Sequence, residues 1–150
     1  MSDKPSTLFH FSFAVSDLDR ARQFYGEWLG CPEGRKLKGR ADFNFFGHHI
    51  VAHLAPEEVV GNKGRKLAEG RTPLRHFGAV VTLEDFQKIV DRLKRHNVAF
   101  INEPEVKQKG TIREQMLMTL SDGCGNAIEF KGLRKITDVY AVEERETAQA

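Results

Sequence analysis

The sequence predicts an α+β fold built from two copies of one βαβββ module. Three observations carry that expectation: a long internal repeat, a helix-start signal at the same offset in each copy, and strand-like sequence after each helix. The repeat emerges when HFSFAVSDLDRARQFYGEWLG (10–30) is laid over HFGAVVTLEDFQKIVDRLKRH (76–96). Both copies open with His-Phe, at His10 and His76, and continue as a short apolar run suited to a strand.

Six residues after each His stands a hydroxyl, Ser16 or Thr82, and three residues later an acid, Asp19 or Asp85. That spacing predicts Ser16 and Thr82 as helix N-caps in a capping box, with Asp in place of the usual Glu. Leu18, Ala21, Phe24, Tyr25 and Trp28 then share one face of a first helix, as Leu83, Phe86, Ile89, Val90 and Leu93 do in a second. Gly30 and Asn97 suit the left-handed position that closes each helix. Strand candidates follow at 41–46 and 50–54, split by Gly47, and again at 98–102, 114–120 and 126–131. SDGCGN (121–126) is the turn between the last two. The two modules are thus expected over about 8–58 and 74–132 of a single domain. Residues 59–73, rich in Gly and basic side chains, form the expected linker, and 133–150 a C-terminal extension without an apolar face from about Asp138.

Composition narrows the function classes. At 150 residues, 40% hydrophobic and 29% charged, the chain can bury a real core and looks like an ordinary soluble protein. A net charge of +2 gives no electrostatic case for nucleic acid. The basic runs RKLKGR (35–40) and KGRK (63–66) are expected in solvated loops. Cys31 and Cys124 are isolated thiols, which fits a reducing cytoplasm rather than a disulfide framework. No stretch approaches the roughly 18 apolar residues of a membrane span, so neither membrane nor nucleic acid is an expected partner.

The side chains with chemistry are histidines and one acid. His10 and His76 occupy equivalent strand positions, so a pseudo-twofold arrangement of the modules would bring them together. Glu129 interrupts the apolar run Ala127-Ile128-Glu129-Phe130, where a carboxylate is costly unless paired or coordinated. Alternation sets it on the face opposite Ile128 and Phe130. Two imidazoles and a carboxylate are the ligand set of open non-haem Fe(II) sites, and Zn, Mn, Ni or Co can use the same donors. His53, on the closing strand of the first module as Glu129 is on that of the second, is a fourth ligand, an acid–base group, or a surface strand histidine. His48 and His49 flank a glycine turn and are expected to be exposed. His96 suits the polar end of a helix and needs no further role. Phe43, Phe45 and Phe46 either line an apolar pocket or fill the core. GxGxxG, Walker, GxSxG and HExxH signatures are absent.

These features resemble the vicinal oxygen chelate superfamily, which includes glyoxalase I, bleomycin-resistance proteins and type I extradiol dioxygenases. The matching stretches are residues 10–30, RHFGAVV (75–81), and DGCGNAIEF (122–130), which resembles the family's Asp-Pro-small-Gly-Asn-x-apolar-Glu-aromatic signature with Gly123 where Pro is common. FNFFGHHIVAHL (43–54) is most similar to an extradiol-dioxygenase-like subgroup. The resemblance implies two βαβββ modules whose sheets curl around a divalent metal held by His10, His76 and Glu129. His53 falls where glyoxalase I has an extra Glu ligand and extradiol enzymes an acid–base His.

What the resemblance implies about activity is an extradiol-type oxidoreductase, with Fe(II), dioxygen and a catecholic or enediol-like small molecule as substrate. Extradiol enzymes usually carry a substrate-binding Tyr some ten residues before the ligand Glu, and this chain has Thr119 there. The site is then unreactive toward catechols or uses another donor. The alternatives are a glyoxalase-type lyase or isomerase using Ni, Co or Zn, and a non-catalytic binding or resistance protein. A homodimer is the expected assembly.

Overall fold

Both His-Phe openings of the repeat become strands in the computed structural model, which describes residues 6–59 and 72–142. Most of the expected linker, including KGRK (63–66), and the end of the C-terminal extension lie outside the described residues. The chain packs as two units: Met1–Arg65 with Asp122–Asn126, and Lys66–Ser121 with Ala127–Ala150.

The first unit begins with β1 (His10–Val15), followed by α1 (Leu18–Ala21), which continues as a π-helical stretch over Arg22–Trp28. Three strands complete it: β2 (Glu33–Leu37), β3 (Arg40–Phe45) and β4 (His48–Leu54), in the sheet order β1-β4-β3-β2. β1 runs parallel to β4, and the other pairs are antiparallel. The helix start differs from expectation by one residue. Asp17, not Ser16, is the cap, its Oδ1 accepting the Arg20 N–H at 3.0 Å. A carboxylate both accepts that bond and meets the positive end of the helix, an advantage serine lacks. Ser16 instead donates its backbone N–H to the Cys124 carbonyl.

Strand alternation divides the first sheet into two faces. Phe13, Val15, Ala41, Phe43, Phe45, Ile50 and Ala52 are buried, and the Tyr25 ring lies 5.5 Å from Phe13 and 5.7 Å from Phe43. Phe43 and Phe45 are therefore core, while Phe46 sits outside it in the turn at φ 51°. β2 had no apolar alternation to announce it, because it is an edge strand, where charged side chains are the rule. The run at 35–40 is accordingly strand, turn and strand rather than loop.

The second unit repeats the plan. β5 (His76–Thr82) leads into α2 (Leu83–Arg95), and β6 (Phe100–Lys107), β7 (Gln115–Ser121) and β8 (Ala127–Leu133) give the order β5-β8-β7-β6. Thr82 caps α2 as expected, accepting the Asp85 N–H at 3.1 Å. Asn97 closes it at φ 54°, with Val98 N–H donating to Leu93 and Asn97 N–H to Lys94, a Schellman arrangement. Phe86, Ile89, Val90 and Leu93 are buried, together with Met118, Leu120, Ile128 and Phe130 of the sheet. β6 extends past the expected strand and carries Pro104, which its edge position tolerates. Ile136–Tyr140 forms a short 3-10 helix at the start of the extension.

Candidate functional site

In the first unit, alternation sends His10 and Ser12 of β1, Arg40 and Asp42 of β3, and His49, Val51 and His53 of β4 to the sheet face opposite the core. With Arg35 and Leu37 of β2 they line a cavity of about 320 Å³. The register sets His10 beside His49 and Ala14 beside His53. His10 Nδ1 lies 2.9 Å from His49 Nδ1, with the ring centroids 5.0 Å apart and the ring planes within 22° of parallel. His49 Nε2 lies 3.2 Å from Asp42 Oδ2, and Ser12 Oγ is 3.4 Å from His10 Nε2. Asp42 Oδ1 is buried without a hydrogen-bond partner.

His49 is thus a site residue that sequence reasoning assigned to an exposed turn. The turn is made by Phe46 and Gly47, both at positive φ, and β4 already begins at His48. The signal was present: His49 and His53 are four residues apart on one strand and so share a face. Asp42 was legible in the same way, alternating with Ala41 and Phe43. His48 takes the other role of that pair, accepting the Phe9 N–H at 3.0 Å.

In the second unit, His76 and Glu129 share the sheet face away from the core. Glu129 is 8% exposed, and its Oε2 lies 3.5 Å from His76 Nε2. His76 Nδ1 is 2.7 Å from the Pro73 carbonyl, which only accepts, so Nδ1 carries the proton. When the ring is neutral, its bare Nε2 faces a carboxylate oxygen, two acceptors face to face. A proton or a cation between them removes that repulsion, and 3.5 Å suits two donors each about 2.1 Å from one metal ion. The donor chemistry therefore fits a metal. Lys131, two residues along the same face, sets Nζ 3.8 Å from Glu129 Oε1. Thr119, directly opposite Glu129 in the β7–β8 register, is fully buried, and its Oγ1 has no hydrogen-bond partner. Among the described residues, neither unit by itself gathers three His, Cys, Asp or Glu side chains as a metal-holding group.

The SDGCGN turn owes its sequence to Asp122. This buried carboxylate accepts four hydrogen bonds: the Tyr25 hydroxyl at 2.7 Å, the Cys124 N–H at 2.7 Å, the Asn126 N–H at 3.0 Å and the Asn126 side-chain amide at 2.9 Å. Asn126 also donates to the Ala14 carbonyl at 3.0 Å. Burial, reinforced by the Asp122 carboxylate, holds the Tyr25 phenol well above its usual 10.0. Burial likewise pushes the Cys124 thiol from 9.0 to about 12, helped by Asp122 and Asp17. These groups fasten the turn and are not reactive.

A model of the Glyoxalase/Bleomycin resistance protein/Dioxygenase superfamily matches residues 7–130. Among solved structures, a glyoxalase/bleomycin resistance protein/dioxygenase from Alicyclobacillus acidocaldarius is 28% identical, with a TM-score of 0.74 over 93% of this chain and 100% of that one. A lactoylglutathione lyase from Agrobacterium tumefaciens is 16% identical, with a TM-score of 0.60 over 92% and 98%. The fosfomycin resistance protein FosX from Listeria monocytogenes is 15% identical, with a TM-score of 0.61 over 85% and 93%. The last two likenesses speak to fold alone. A comparison with curated proteins finds no match. Among the described residues, no helix is long and apolar enough to cross a membrane.

Proposed function

The chain belongs to the Glyoxalase/Bleomycin resistance protein/Dioxygenase superfamily, and on that premise we propose a metal-dependent enzyme of the extradiol-dioxygenase type. His10 of the first unit and His76 and Glu129 of the second are its ligands. Fe(II) is the first candidate, and Zn, Ni, Mn or Co share the donor preference. The observation that carries this reading is His76 Nε2 facing the Glu129 carboxylate at 3.5 Å while its Nδ1 is held by the Pro73 carbonyl. When bound, the cation supplies Lewis-acid polarisation of vicinal substrate oxygens and a template for substrate and dioxygen.

The chain's own side chains do the rest. His53 lines the same cavity as His10 and is the acid–base group that takes the hydroxyl proton of a catecholic or enediol-like substrate. Arg35 and Arg40 line that cavity too, and their guanidinium groups favour the substrate once it is an anion. The Asp42 carboxylate, which would repel that anion, is engaged by His49.

Thr119 supports a second reading. A buried hydroxyl beside Glu129 replaces the phenol that ring cleavage would use, which suits a glyoxalase-type lyase or isomerase needing no dioxygen. An oxygen electrode separates the two. Consumption of dioxygen with a catechol by the Fe(II)-loaded protein supports the dioxygenase, and turnover of an α-keto hemithioacetal under strict anaerobiosis replaces it with the lyase. A protein that isolates metal-free and gains no melting temperature from added divalent ions is a binding protein instead.

A further inference from the structure

We propose that Asp42 and His49 form a polar relay that fixes the tautomer of His10 and so makes its Nε2 a metal-binding nitrogen. The inference rests on the reading of His10 as a ligand and deepens it. An ionised carboxylate only accepts, so the Asp42 Oδ2 contact at 3.2 Å requires the proton on His49 Nε2. A neutral His49 then has a bare Nδ1. The 2.9 Å separation from His10 Nδ1 holds one N–H, and the bare His49 nitrogen requires that His10 supply it. Neutral His10 is thereby left with its lone pair on Nε2, where its neighbour is the Ser12 hydroxyl at a long 3.4 Å.

The second histidine of the repeat reaches the same state by other means. His76 gives its Nδ1 proton to the Pro73 carbonyl and presents Nε2. A backbone carbonyl has a fixed polarity, whereas an imidazole partner does not. The first unit therefore needs Asp42 behind His49 to orient the pair, as a metal-bound imidazole generally needs a partner on its other nitrogen. The unpaired, buried Asp42 Oδ1 marks a carboxylate kept there despite incomplete hydrogen bonding. Gly34 leaves room for it, since a Cβ at residue 34 would come within 2.9 Å of Asp42 Oδ2.

Asp42→Leu removes the acceptor that orients His49. His49 then carries its proton on either nitrogen, and His10 is free to donate or accept on Nδ1. Long-range 1H–15N correlation spectra of the metal-free protein near pH 8 read the tautomers directly. The wild type is expected to show His10 as the Nδ1–H form and Asp42→Leu an averaged pattern. Titration with Co(II), followed by its visible absorption, is expected to weaken by about 10-fold in Asp42→Leu. His49→Phe, which also frees His10 to populate both tautomers, is expected to show the same averaged pattern and a similar loss. An Nε2–H form of His10 in the wild type, or an unchanged His10 tautomer in Asp42→Leu, overturns the relay. His10→Ala separates the two claims: if it retains wild-type Co(II) affinity while the spectra show the expected tautomers, the ligand reading of His10 fails and the relay stands.

Discussion

Gly78 of β5 pairs with Glu129 of β8, and a Cβ at residue 78 would fall on the Glu129 backbone carbonyl. The equivalent position in the first copy of the repeat is Ser12, so the repeat breaks where the backbone must pass closest to the candidate ligand. Alanine normally stabilises a strand glycine by about 0.5–1 kcal/mol, but the clash is with backbone and cannot be relieved by a rotamer. Gly78→Ala is expected to destabilise the fold by about 3 kcal/mol, a fall in melting temperature of roughly 6–12 °C for a chain of this size. A melting temperature at or above wild type contradicts the close approach.

Tyr25 and Cys124 make stability depend on alkaline pH. Their protonated forms are favoured in the folded state, so the stability they contribute is whole below the unfolded pKa values. For Cys124 it is lost as pH rises from 9.0 through about 12, and for Tyr25 from 10.0 upward through its raised folded value. Urea unfolding between pH 7 and 11 is expected to show a steep alkaline decline that Tyr25→Phe makes shallower. At pH 7 the same variant is expected to lose about 1–3 kcal/mol, because Asp122 loses its hydroxyl donor.

The raised thiol pKa also bears on reactivity, because the nucleophile is the thiolate. Cys31 and Cys124 are both buried. Native protein at pH 8 is expected to take up no iodoacetamide over hours, whereas protein in urea takes up two equivalents. Rapid labelling of Cys124 in the native state contradicts the buried turn.

Thr119 carries a buried hydroxyl without a partner. Thr119→Val keeps the shape and removes that orphaned group, and is expected to raise stability by about 1 kcal/mol. Chemical denaturation measures it. A loss of more than about 1 kcal/mol would mean that the hydroxyl is hydrogen-bonded in solution.

Much of this was legible because each signal was local. The repeated His-Phe openings, the Thr82 cap, the Asn97 closure and the Asp122 turn are each specified by residues adjacent in sequence. Glu129 stood out because a carboxylate inside an apolar strand calls for a partner. What escaped depended on tertiary context. β2 has no alternation because it is the edge strand of its sheet. Asp17 takes the cap in place of Ser16 because a carboxylate both accepts the Arg20 N–H and meets the positive end of the helix. The role of His49 follows from a register, His10 against His49, that depends on a parallel pairing across 39 residues. Pro73 is a backbone acceptor, which no side-chain pattern announces.

The most direct test is the metal content of protein purified anaerobically, wild type beside Glu129→Ala, by elemental analysis. One divalent ion per wild-type chain, its identity separating Fe(II) from Ni, Co or Zn, and none in the variant is the predicted result. A full equivalent retained by Glu129→Ala contradicts the assignment of the site.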